Sequence, residues 1–335
     1  MSDLRAAAGA TAAMLCVGSL AAISPVIAGY PIYGGQAVRY AAAAAIFGAI
    51  AIVRRDGRVR VSGRDWILLG ALAATGLVAF NVCVIRGAGA GSPAVVGTTV
   101  AALPLVLALL SPWLGGRRPA VAVVAGAAVV ATGAATVNGW GAGSVSGQLY
   151  AIGALACEVC FSLLALPLLP RLGPRRVSGY AAALAAPMFL VVGVIEDGSG
   201  VLRQPTVAES LAYAYLVIVV TIGAFLMWYS ALPKLGPDRV GLFAGALPIG
   251  AVATTAILGY GAPTTGELAG TGLVVAGILI GFGAPLVRQR VAGRGRHSAQ
   301  RPELGENVHD DVVRIGAAGE LELAGQHRDL GHVVD

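Results

Sequence analysis

Ten separated stretches of this chain are each long and apolar enough to match the hydrocarbon layer of a bilayer. A helix needs roughly 20 apolar residues to cross about 30 Å of hydrocarbon. Such runs lie at about 9–29, 32–53, 66–85, 92–114, 119–138, 147–169, 178–196, 210–232, 238–259 and 267–287. Backbone groups inside lipid must be satisfied within each segment, and the runs lack the dyad alternation of an outer-membrane barrel. The expected fold is all-α: a polytopic integral membrane protein with short connections between antiparallel neighbours. Residues 6–28, with Val26 and Ala28 placed as in a cleavage site, have the outline of a signal peptide. With nine runs behind them, they read as the first helix.

Charge placement orients the runs. Charged residues make up only 12% of the chain, about half the share of a soluble domain. With the N-terminus inside, the inner connections carry Arg54, Arg55, Arg58, Arg60, Arg64, Arg117, Arg118, Arg171, Arg175, Arg176, Lys234 and Arg239. Arg288, Arg290, Arg294 and Arg296 follow the last run on the same side. The outer connections hold Arg86 and Arg203 against Glu196, Asp197, Glu209 and Glu267. This positive-inside bias predicts a cytoplasmic-membrane protein with both termini in the cytoplasm. It also accounts for the high pI without a nucleic-acid partner.

One spacing occurs twice. Pro104 is followed by Gly126 and Gly133, and Pro248 by Gly270 and Gly277, at identical intervals. Upstream, Ala79-Phe80 and Ala224-Phe225 mark the matching run in each half, with a one-residue difference. The chain thus divides into a first five-helix repeat, 9–138, and a second, 147–287. Five is odd, so the second repeat enters the membrane inverted, an arrangement that secondary transporters use to obtain two interconvertible faces. The expectation is a central cavity with the two copies of the motif on opposite sides of it. Gly241/Gly245, Gly266/Gly270 and Gly277/Gly281 are GxxxG pairs suited to close helix approach.

These features resemble the EamA-type transporters of the drug/metabolite transporter superfamily. The resemblance covers about 10–287 and rests on the five-plus-five arrangement and on Gln36-x-x-Arg39-Tyr40. It rests further on Pro104 and Pro248 with their following glycines, and on the segment from Gly270 to Gly277. It implies a bundle around a cavity, moving small metabolites, amino acids or drugs, often outward. Where the family usually has a Glu thirteen residues after the proline, this chain has Arg117 and Gly261. No role of those acids carries over.

Polar groups within the runs are the candidates for a pathway, because they cost most to place there. Glu158 lies near the middle of the sixth run and is the single carboxylate deep in any run; Ser162 follows one turn later. Arg39, with Gln36 and Tyr40 nearby, lies in the second run, and an Arg39–Glu158 pair across the cavity is geometrically possible. Glu158 is the expected acceptor of a proton or a substrate ammonium. Asn81, Trp228 and Tyr229 are candidate solute contacts, and Pro104 and Pro248 candidate helix kinks. Thr98 and Thr99 read as hydroxyls bonded to their own helix. Cys157-x-x-Cys160 reads as packing, since a lone CxxC in an apolar helix has no second ligand pair.

The expected partners are a small-molecule substrate, membrane lipids, and protons or another coupling ion. No cofactor or metal is expected. All four His lie in 289–335, which removes a His-based relay or metal site from the bundle. No P-loop, G-x-S-x-G or H-E-x-x-H motif occurs, so the reading is a carrier and not an enzyme. The alternative is a non-transporting membrane protein, such as a lipid-linked enzyme or an assembly partner. Residues 288–335 are polar, and disorder is expected there. The orientation has a direct check: alkaline phosphatase fused after Gln204 should be active, and after Arg60 inactive. The reverse pattern would invert the assignment.

Overall fold

The computed structural model describes residues 2–57, 59–90, 93–140 and 144–283. The expectations for 288–335, and those resting on Arg58 and on the arginines from Arg288 onward, lie outside the described residues. Among the described residues ten helices are long and apolar enough to cross a membrane: α1 Asp3–Ile27, α2 Ile32–Val53, α3 Gly63–Ala90, α4 Pro93–Leu114, α5 Val121–Asn138, α6 Val145–Ala165, α7 Leu169–Val201, α8 Val207–Leu235, α9 Pro237–Ile257 and α10 Thr265–Gly283. Among the described residues there is no strand. The fold is thus all-α, with the expected number of spans.

Local chemistry sets several helix starts. Ser62 and Asp65 form a capping box at α3, Thr206 and Glu209 at α8, and Thr264 and Glu267 at α10. In each, the hydroxyl accepts from a first-turn N–H and the carboxylate accepts from the capping residue's own N–H. The start of α7 differs from the sequence reading: helix begins at Leu169, ahead of the run at 178. Its first turns carry Arg171, Arg175 and Arg176 and bend at Gly173, whose φ of 74° suits a residue without a side chain. Helical geometry extends past the apolar run because arginine is compatible with a helix and not with hydrocarbon.

Helix contacts follow a pattern. α1 packs on α8 and α9, and α6 packs on α3 and α4; α2 pairs with α7, and α5 with α10. The α5–α10 crossing is built from the motif glycines. A Cβ at Gly126 would lie 2.6 Å from the Gly277 carbonyl oxygen, and one at Gly133 would lie 2.7 Å from that of Gly270. The reciprocal distances are 2.7 Å for Gly277 to Gly126 and 2.6 Å for Gly270 to Gly133. The glycines of the two motif copies therefore touch, which corrects the expectation that they lie on opposite sides of the cavity. Lipid supplies no hydrophobic drive between helices, so contact area comes from backbones brought together at small residues. Of the GxxxG residues, Gly245 faces Val130 and Val274, whereas Gly266 meets only Thr264 beside it in the chain.

Several helices depart from regular geometry, α10 among them with a π segment at Leu279–Gly283. Leu72–Ala79 in α3 and Leu216–Gly223 in α8 are π-helical, each eight residues long. They stand at the same offset that separates Pro104 from Pro248. Ser62 and Thr206, Asp65 and Glu209, and Gly35 and Gly179 share that offset. The Ala-Phe pairs are one residue out of this register: Phe80 directly follows the first π segment, and Phe225 comes one residue after the second. In α4 a turn at Ala101–Ala102 precedes Pro104, and in α9 a 3₁₀ segment, Gly241–Gly245, precedes Pro248. A proline has no N–H for the carbonyl four residues back, so a ladder bond is missing at both places.

Ion pairs sit near the ends of the bundle. At one end Arg171 meets Asp65 at 2.9 Å and Arg175 meets Asp56 at 3.1 Å. At the other Arg86 meets Glu196 at 2.6 Å, and Arg203 pairs with Glu209. Arg203 also lies over the Tyr30 ring, and its hydrogen bond to Glu209 raises its pKa further above the usual arginine range. The glycine crossing yields a test. Gly277→Leu should overpack α5 and lower stability by about 1–3 kcal/mol or more. Gly272→Ala on the same helix, with nothing within 4 Å of the added atom, should be neutral or slightly stabilising in thermal unfolding in detergent.

Candidate functional site

The irregular stretches of α3, α4, α8 and α9 converge on one internal space. A first compartment of about 630 Å³, opening included, is lined by α1, α2, α3, α6 and α8. Its wall includes Gly76 and Leu77 from the first π segment, Val220 from the second, and the residues just beyond each: Phe80, Asn81, Ala224, Phe225 and Trp228. A second compartment, also about 630 Å³, is lined by both prolines and by Asn138 of α5. Met14, Val17, Phe80 and Glu158 border both. Wide π turns re-aim side chains relative to a straight helix and are frequent at functional sites.

Glu158 stands where the compartments meet. It is partly exposed to them, and its carboxylate takes part in no hydrogen bond or ion pair among the described residues. Arg39 reaches the first compartment from α2. It is buried and does not snorkel; its Nε donates to Thr221 Oγ1 at 2.6 Å and one terminal nitrogen donates to Gln36 Oε1 at 3.4 Å. Arg39 and Glu158 border one cavity without forming the ion pair that the sequence permits. Thr221 in turn donates to the Leu216 carbonyl five residues back, at 3.0 Å. The π turn thereby leaves the Thr221 oxygen available to the guanidinium.

The other candidates separate. Asn81 lines the first compartment and spends its amide N–H on the Leu77 carbonyl at 2.8 Å. Trp228 lines it too, 1% exposed, and its Nε1–H has no acceptor. Tyr229 does not reach the space: it is fully buried, stacked on Phe161 with centroids 5.1 Å apart. Ser162 is fully buried, its hydroxyl unpartnered and outside both linings. Four residues advance about 40° beyond a full turn, enough to carry Ser162 off the face of Glu158, and Phe161 takes the lining position. Thr99 accepts from Gln148 Nε2 at 3.1 Å and Thr98 has no partner, so neither hydroxyl bonds its own helix. The four cysteines are free. Among the described residues no cluster of His, Cys, Asp and Glu is arranged to hold a metal.

Thr221 and the π segments escaped the sequence reading. A lone hydroxyl in the apolar stretch Leu216–Gly223 is the signal that points to Thr221. No signal of comparable strength marks the π geometry.

Comparison with known proteins gives a limited frame. No family model matches the chain. A curated relative, "Uncharacterized transporter YetK" of Bacillus subtilis (strain 168), is 24% identical over 255 residues, covering 74% of this chain and 77% of its own. A solved structure described as "Crystal structure of protein" shares the fold, with a TM-score of 0.72 at 22% identity, over 83% of this chain and 97% of that one.

The Arg39–Thr221 bond is a measurable part of the site. Thr221→Val keeps the side chain's shape and removes the acceptor, leaving a buried cationic donor less satisfied. It should cost about 1.5–3 kcal/mol, read as a lowered unfolding midpoint in lipid nanodiscs. An unchanged midpoint would show that the bond is not maintained.

Proposed function

We propose that the chain is a secondary transporter of a small metabolite, amino acid or drug, working by alternating access with Glu158 as the proton or cation acceptor. The carrying observation is a carboxylate without a protein partner, at the meeting point of two compartments deep in a ten-helix bundle. Such a group costs several kcal/mol in hydrocarbon unless water, a proton or a ligand compensates it. A relative named as an uncharacterized transporter, aligned over most of both chains, supports the same class. Arg39, Asn81 and Trp228 complete the solute-facing wall.

Two inverted five-helix repeats, as the EamA resemblance implies, fit the contacts. Exchanging each helix for the one five places away turns the contacts of α1 with α8 and α9 into those of α6 with α3 and α4. It returns the α2–α7 and α5–α10 pairs to themselves. An exchange of this kind gives an outward-facing arrangement a counterpart of similar packing energy, the basis of alternating access. The charge asymmetry of the connections favours cytoplasmic termini in the inner membrane, and export is the direction the resemblance favours.

The test begins without a known substrate. Metabolite profiles of cells and medium are compared between strains expressing wild type, Glu158→Gln, and no copy. At least one solute should redistribute with wild type, and the variant should reduce its flux at least about tenfold, both in cells and in proteoliposomes bearing an imposed pH gradient. A new product without redistribution would favour an enzyme instead. Absence of any redistribution, or full flux and unchanged gradient dependence in the variant, would reject the carrier reading or the role of Glu158 respectively.

A further inference from the structure

The guanidinium of Arg39 is buried and lacks an anion. Arg39 is 4% exposed, and its two hydrogen-bond acceptors, Thr221 Oγ1 and Gln36 Oε1, are both neutral. The ion pairs among the described residues join Arg86, Arg171, Arg175 and Arg203 to carboxylates near the bundle's ends. A guanidinium carries five N–H groups in a planar fork. Two are engaged, so three have no acceptor among the described residues. The Arg39 guanidinium carbon also lies 5.4 Å from the Tyr40 ring centroid, a cation–π contact that brings no negative charge. A buried cation without an anion at membrane depth marks a site where a partner arrives.

Trp228 lines the same space with its ring. The Trp228 Nε1–H is buried without an acceptor, on the wall that Arg39 also borders. Most of the remaining lining is apolar, with Leu77, Val220 and Phe225, and Glu158 borders the same space without pairing with Arg39. A cationic fork with unused donors beside a largely apolar and aromatic wall is the complement of an amphipathic anion. A planar carboxylate matches the fork of arginine and supplies the ion-pair partner that Glu158, on the same wall, does not provide to Arg39. A doubly charged head would leave charge uncompensated, and a bare inorganic anion would leave the apolar wall uncovered.

We propose that the first compartment binds a small organic monoanion, its carboxylate-type head held by the free N–H groups of Arg39 and its apolar body against the aromatic wall. The inference names the substrate class within the transporter reading and rests on that reading only for the crossing of the membrane, since binding is measurable alone.

The experiment uses the full chain in lipid nanodiscs and follows thermal unfolding against phenylacetate, phenethylamine and 2-phenylethanol. These probes share an apolar body and differ in charge. Phenylacetate should raise the midpoint with an apparent affinity at least about tenfold above the other two. Arg39→Gln should remove that preference, and Arg39→Lys should keep part of it. Equal or better response to the amine or the alcohol overturns the proposal, as does no response to any probe, or a phenylacetate response unchanged in Arg39→Gln. Where Arg39→Gln does not fold, the ranking of the three probes on the wild-type chain decides. Arg39-dependent binding of phenylacetate without flux of any solute in proteoliposomes would leave this inference standing and remove the transport reading. Flux of solutes lacking an anionic group, with no anion preference in binding, would do the opposite.

Discussion

Every backbone N–H and C=O placed in hydrocarbon needs a partner within the protein, and this requirement governs the molecule. It makes the spans helical and makes each break in a helix expensive wherever lipid is the neighbour. The breaks in α3, α4, α8 and α9 are grouped, whereas the bend at Gly173 in α7 and the π segment Leu279–Gly283 in α10 contribute no residue to either lining. Two π segments and two proline-associated turns border a shared internal space, where other helices and solvent can stand in for lost ladder bonds. Thr221 shows the principle in one residue, since its hydroxyl satisfies a carbonyl of the widened turn and in the same position receives the Arg39 donor.

The second organising element is contact between small residues. Helices in lipid gain little from burying leucine, which is as comfortable in an acyl chain as in a core. Contact of Gly126 with Gly277 and of Gly133 with Gly270 draws α5 and α10 to backbone separation. Gly18 of α1 plays a comparable part against Leu247 and Ala251 of α9. These crossings hold the walls of the second compartment, so a packing feature far from any charge sets the width of the space in which Glu158 stands.

Much of this was legible in the sequence, unevenly. Ten apolar runs announce ten helices, because length and hydropathy are nearly sufficient in a membrane. Boundaries were less readable: α7 starts before its apolar run, since an arginine-bearing turn can be helical outside hydrocarbon. Glu158, Arg39, Asn81 and Trp228 stood out as polar groups in the wrong solvent, and all four border the first compartment. Ser162 and Tyr229 did not follow them, because helical phase resolves neighbours only to within tens of degrees and Phe161 occupies the intervening direction. The repeat was visible as a spacing. That its glycines meet each other was not, since spacing along a chain carries no information about which face a distant helix presents.

The ion pairs near the bundle's ends have a mechanical consequence. Asp65–Arg171 ties the beginning of α3 to the beginning of α7, and Arg86–Glu196 ties their far ends. Partly exposed pairs of this kind contribute little each, and between them α7 bends at Gly173 and α3 carries its π segment. A change in access to the interior that preserves both pairs moves the ends of α3 and α7 together. The compliance then falls to that bend and that π segment, which let one stretch of a helix pivot while its ends stay paired.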